Sequence, residues 1–129
     1  MKYIYNDAGK EYSKRPKQKN DCVVRAYAIT TKTPYDDAYD LFKACGRESF
    51  KGTEFKIIDK AYKGVSYYCS FSEHYGLPSI AQVLKLLKHG RYIVCLEIHV
   101  FAVINGVIHD TYPIEKYVDK PVQGFWIMK

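Results

Sequence analysis

The sequence predicts an α+β fold in which N-terminal helices pack on a C-terminal antiparallel β-sheet. Three observations carry this expectation. Residues 21–90 hold apolar positions at helical spacing, punctuated by caps and glycine stops. Residues 91–129 hold short β-rich runs separated by turn residues. Within that second half Asn105-Gly106 joins two apolar arms, a hairpin signal because both turn residues need positive φ. Helices first and strands last make an α+β arrangement. A chain of 129 residues suits one domain with one core, and no repeat, low-complexity segment or linker divides it.

The elements follow in order. Lys2–Tyr5 reads as a short strand or arm, and a basic loop continues to residue 20. A first helix starts near Asp21 or Cys22 and runs to about Thr31, with Ala26, Ala28 and Ile29 toward a buried face. Val23 and Val24 are β-branched, so tertiary packing must hold this start. A second helix begins at Thr33-Pro34, with Thr33 as N-cap, Pro34 at the first position and Asp36 and Asp37 facing the dipole. Ala38, Leu41, Phe42 and Cys45 keep its spacing and Gly46 stops it. A third helix spans about Thr53 to Lys63, with Phe55, Ile58 and Tyr62 on one stripe. Val65–Phe71 is a strand or an extended loop. Ser79-Ile80-Ala81-Gln82 matches a capping box and opens a fourth helix, closed by Gly90, with His89 beside the C-terminal dipole. Tyr92–Leu96 is a buried strand, Val100–Ile104 and Val107–Thr111 are the hairpin arms, and Gln123–Met128 is a last strand carrying Trp126.

The net charge is +6. Lys10, Lys14, Arg15, Lys17 and Lys19 precede Cys22, and Lys85, Lys88 and Arg91 form a second group. Such a surface suits nucleic acid or an acidic partner, or is a solvated face. No glycine–aromatic RNA-binding motif or recognition-helix pattern accompanies it, which favours the solvated face. The 13 tyrosines are spread along the chain, as core and surface filling rather than a stacking platform. No apolar run is long enough to span a membrane, and the polar start lacks a signal-peptide pattern, so the expected location is cytoplasmic. Cys22, Cys45, Cys69 and Cys95 form no C-x-x-C pair, which argues for free thiols. No His/Cys spacing recommends a metal.

One cysteine stands apart. Cys22 lies at a predicted helix start, where the dipole and nearby cations such as Arg25 would stabilise a thiolate. The hairpin supplies a partner. With a two-residue turn at Asn105-Gly106, Ile104 lies opposite Val107, Phe101 opposite Asp110 and His99 opposite Tyr112. Period-two alternation puts His99, Phe101, Val103, Ile108, Asp110 and Tyr112 on one face. His99 and Asp110 are then diagonal neighbours, roughly 7–8 Å apart at the backbone and within side-chain reach. His109 falls on the other face, so the register selects His99. A thiol, an imidazole and an orienting carboxylate are the parts of a nucleophilic acyl-transfer site. An oxyanion hole would draw on the Cys22 backbone N–H and a side-chain donor, with Gln18 and Asn20 both candidates and Asn20 and Asp21 also plausible turn or cap residues. Cys45, Cys69 and Cys95 lie on apolar stripes and read as structural.

These residues resemble a family. Gln-x-x-Asn-Asp-Cys followed by a helix, then a strand-borne His and a hairpin Asp, is similar to the papain-like cysteine peptidases. Within them the chain most resembles the compact peptidases that process double-glycine leaders of bacteriocins. Around Asn-Asp-Cys-Val-Val-Arg-Ala it also resembles small proteins of phage or mobile-element type. The resemblance implies Cys22 as nucleophile, His99 as base, Asp110 as orienter and Gln18 as oxyanion donor, with the site in a groove between helices and sheet. It implies a peptide or protein substrate and no cofactor. Two other expectations stand beside it. One is a non-catalytic binding module on the same fold, acting through its basic surface on a host protein or nucleic acid. The other is a redox sensor that uses Cys22 without His99.

Overall fold

Most of the C-terminal strands carry apolar residues on both faces, so the sheet they build must be covered on both sides. The structure, a computed structural model describing residues 1–129, meets this demand with helices on each face. The strands are β1 (Tyr3–Tyr5), β2 (Ser66–Ser70), β3 (Arg91–Cys95), β4 (Val100–Ile104), β5 (Val107–Asp110) and β6 (Gly124–Met128). The helices are α1 (Cys22–Thr31), α2 (Tyr35–Ala44), α3 (Phe55–Tyr62) and α4 (Ile80–Leu86). Ile93, Ala102, Trp126 and Met128 face α1–α3, meeting Val24, Phe42, Ile58 and Tyr62. Their neighbours Val94, Phe101, Val103 and Ile108 face the other way, onto Ile80 and Val83 of α4 and onto Tyr117 and Val122 of the β5–β6 connection.

The architecture is α+β, with two departures from expectation. The six strands run in the order β1-β5-β4-β3-β6-β2, and the sheet is mixed, because β1 pairs parallel with β5. Two of its strands thus come from outside residues 91–129, from the basic arm and from the otherwise helical stretch. Both sit at the sheet's edges, where β5 and β6 would otherwise expose unpaired backbone groups. The second departure is α4, which lies on the face opposite α1–α3.

Helix boundaries shift by a few residues. α2 starts at Tyr35, with Pro34 extended (ψ 143°) at the cap position and making no side-chain cap. Thr33 is not the cap; its hydroxyl pairs with that of Thr31 at 2.7 Å. α3 begins at Phe55, whose half-exposed ring leans on Tyr68 and Trp126, centroids 5.7 Å from each. α4 carries the full Ser79–Gln82 capping box but ends at Leu86, short of Gly90. His89 therefore lies beyond the last turn, where its carbonyl accepts from the Tyr92 hydroxyl at 2.5 Å. No helix is long and apolar enough to cross a membrane.

The hairpin register matches the expected one, pairing Ile104 with Val107, Val103 with Ile108 and Ala102 with His109. Asn105 (φ 49°) and Gly106 (φ 79°) both take the positive φ that this turn requires. At the other end of the sheet a Cβ on Gly124 would collide with the Tyr68 hydroxyl and approach the Cys69 carbonyl to 2.6 Å, so only glycine lets β2 close on β6.

Candidate active site

Asn20 bends the chain into α1 through a left-handed φ of 55°, which asparagine adopts more readily than most residues. Asp21 holds the cap position, but its buried carboxylate does not cap the helix. It accepts from the Tyr35 hydroxyl at 2.6 Å and from Arg25 Nε at 3.1 Å, and pairs with Lys10 Nζ at 3.0 Å. This network fixes the segment before Cys22 against α1 and α2.

The open end of the β4–β5 hairpin meets α1 at this point. His99 Nε2 lies 2.6 Å from Asp110 Oδ2. The other ring nitrogen, Nδ1, is not engaged by Asp110, and His99 lines the same pocket as Cys22, near enough that the imidazole, the Val100 backbone N–H and Arg25 all act on the thiol. Asp110 is buried and fully engaged. Oδ2 takes His99 and the Tyr117 hydroxyl (2.9 Å); Oδ1 takes Arg25 Nη1 (3.2 Å) and the Thr111 backbone N–H (2.8 Å). The Asp110 carbonyl is held in turn by the Asn6 N–H and the Tyr3 hydroxyl, both at 3.0 Å, so β1 braces the site. The imidazole is packed against Tyr117, Tyr112 and Phe101, with centroids 4.9, 5.6 and 6.1 Å away.

These contacts set the protonation states. Burial alone would raise the Cys22 thiol, but the hydrogen bond and charge of His99, the Val100 N–H and the Arg25 charge outweigh it and hold Cys22 below its ordinary value. Burial alone would lower His99, but its bonds to Asp110 and Cys22 and their charges push it up to about 9. Asp110 is held below the usual carboxylate range, because His99, Arg25 and Tyr117 outweigh its burial. Both shifts, Cys22 down and His99 up, run in the direction that favours a thiolate–imidazolium pair.

The two oxyanion candidates separate. Gln18 is buried, and its Oε1 accepts from the Phe50 N–H at 2.7 Å, which leaves its amide nitrogen for the pocket. Asn20 is exposed and its Nδ2 donates to the Phe50 carbonyl at 2.9 Å, so it serves as a strut of the turn. Together they clamp Phe50. Buried Arg47 adds a bond to the Lys19 carbonyl at 3.1 Å, and the Lys10 ammonium binds the Gln18 carbonyl. As the first residue of α1, Cys22 has a backbone N–H without an intrahelical acceptor. Gln18, Asn20, Cys22 and His99 all line one pocket of about 520 Å³.

Other candidates lie elsewhere. His109 is on the opposite face, where its Nδ1 meets Asn6 Nδ2 at 3.2 Å and burial lowers its pKa. Cys45, Cys69 and Cys95 are free thiols, and burial pushes Cys95 up to about 11. No group of three His, Cys, Asp or Glu side chains converges as a metal site. Part of the N-terminal basic run is spent within the chain, since Arg15 pairs with Asp36 and Asp40 (2.8 Å each) and lies over the Tyr39 ring. Sequence reasoning missed Tyr117 and the bridge that Arg25 makes from α1 to Asp110. Arg25 carried a signal, one helical turn after Cys22. Tyr117, in an irregular connection, carried none. Comparison with family models, with curated proteins and with solved structures gives no match.

Proposed function

We propose that this protein is a papain-like cysteine hydrolase, or an acyl transferase using the same steps, acting on a peptide, isopeptide or related acyl bond. The observation that carries the reading is the His99–Asp110 hydrogen bond beside Cys22, at the wall of a pocket that also holds Gln18. The Cys22 thiolate attacks the carbonyl carbon and forms a C–S bond. The oxyanion gathers against the Cys22 N–H and the Gln18 amide. As the C–N bond breaks, His99 gives its proton to the leaving amine. The resulting thioester is attacked by water, whose proton returns to His99 while the sulfur leaves as thiolate. In a transferase an amine or alcohol replaces the water. Asp110 holds the imidazole oriented throughout.

The test is acylation by 4-nitrophenyl acetate followed by peptide mass spectrometry. The acetyl group should appear on Cys22 in a fast burst and be absent in Cys22→Ser. Gln18→Ala should slow that burst by about 10²-fold through loss of one oxyanion donor. Acetylation no faster than on Cys45 or Cys69 would contradict the reading.

A further inference from the structure

Cys22 and His99 line two adjoining pockets that share Leu96 and Ile98 and differ in charge. The first, of about 520 Å³, is lined by Lys10, Lys19, Arg25, Lys116 and Lys120 among its charged side chains. Its one carboxylate, Asp21, is already committed to Lys10 and Arg25, and Arg25 also pairs with Asp110. Lys19, Lys116 and Lys120 are exposed and have no carboxylate within ion-pair reach. The second pocket, of about 470 Å³, is walled by Val23, Phe55, Ile58, Ile98 and Val100, with Glu97 as its charged residue besides the shared His99. Uncompensated cations at a concave, low-dielectric wall concentrate anions. Three flexible ammonium groups suit carboxylates at several positions better than one fixed bidentate anion. The apolar wall offers such a ligand nothing and instead favours burying a hydrocarbon side chain.

We propose that the substrate is an acidic peptide segment, with carboxylate side chains on one side of the scissile carbonyl against Lys19, Lys116 and Lys120 and an uncharged apolar residue on the other against Val23, Phe55, Ile58, Ile98 and Val100. This rests on the hydrolase reading of the same site. A nucleic acid would satisfy the lysines, but it offers no peptide or related acyl bond for Cys22 to attack.

The test compares the rates at which anionic sulfonatoethyl and cationic trimethylammonioethyl methanethiosulfonates modify Cys22. Each rate is normalised to neutral iodoacetamide, so that thiolate content cancels, and to the same reagents on a small free thiol. The anionic reagent should gain about tenfold, and the gain should collapse toward unity in 1 M salt. Lys116→Glu with Lys120→Glu should remove or reverse it, and if that variant fails to fold the salt series in the wild type decides the same question. A Glu-Glu-Leu-Gly peptide should slow iodoacetamide at Cys22, and Lys-Lys-Leu-Gly should not. Equal rates for the two charged reagents, or protection by an oligonucleotide but not by the acidic peptide, would overturn the substrate class while leaving the hydrolase reading in place. Iodoacetamide reacting with Cys22 no faster than with a free thiol would instead mean that the hydrolase reading itself had failed.

Discussion

Replacing His99 with alanine is expected to slow alkylation of Cys22 at pH 6 by roughly 10²-fold, because an ordinary thiol with pKa near 8.5 is only a fraction of one per cent ionised there. In the wild type His99 is the main influence that holds the Cys22 pKa below its ordinary value against the cost of burial. Without His99 the cost of burial is opposed only by the Val100 N–H, Arg25 and the helix terminus, and the thiol rises from its wild-type value. The α1 N-terminus and Arg25 remain in the variant, so the experiment separates the imidazole from the helix dipole. Mass spectrometry of each cysteine supplies the internal control, since Cys45 and Cys69 lie outside the site. Hydrolysis or acyl transfer should fall further, by about 10²–10⁴-fold, because the proton shuttle is lost along with the thiolate. A variant that alkylates at the wild-type rate would show that His99 does not activate Cys22.

Asp110→Asn is expected to have the second large effect, and it reaches both chemistry and stability. Asp110 accepts four bonds, two from the cationic groups of His99 and Arg25. Asparagine keeps the shape but not the charge, and its amide can hold the wrong imidazole tautomer. A loss of about 10²–10⁴-fold in turnover follows from that change. The alkaline limb of the pH profile should move from near 9 toward the ordinary imidazole value, because the carboxylate is a main cause of the raised His99 pKa. The signs of the stability effects are distinct. Asp110 is lowered on folding, so its contribution is present above the unfolded carboxylate value near 4 and is lost as pH falls through the folded one. His99 is raised on folding, so its contribution is present below about 6.5 and is lost as pH rises through about 9. The variant should therefore lose the decline in stability between those two pH values. Leaving a buried charge network one partner short costs about 3 kcal/mol, read as a Tm lowered by roughly 10 °C near pH 6. A Tm and pH profile like the wild type would argue that Asp110 does not orient His99.

What could be read in the sequence was local, and what could not was the pairing of distant segments. The His99–Asp110 contact followed from one turn, because Asn105-Gly106 fixes the register and the register fixes the faces. The start of α1 at Cys22 and the Ser79–Gln82 box were legible because each depends on residues a few positions apart. The parallel pairing of β1 with β5 was not, since a three-residue strand carries no mark of its partner. Placing α4 on the far face was equally hidden, because an amphipathic stripe says that a face is buried but not against what. The choice between Gln18 and Asn20 turned on Phe50, about thirty residues away, whose backbone engages the oxygen of one amide and the nitrogen of the other. Tyr117 reaches Asp110 only because the β5–β6 connection folds back over the hairpin.

The most direct test of the central claim is the pH titration of the Cys22 thiolate in the wild-type protein. It is read as the difference in thiolate ultraviolet absorbance from Cys22→Ser and as the iodoacetamide rate at Cys22. An ion pair predicts a thiolate already formed below neutrality, a plateau of moderate reactivity, and a second rise near pH 9 as His99 loses its proton. A single titration near 8.5, with no plateau below it, would mean that Cys22 is an ordinary thiol and that the catalytic account is wrong.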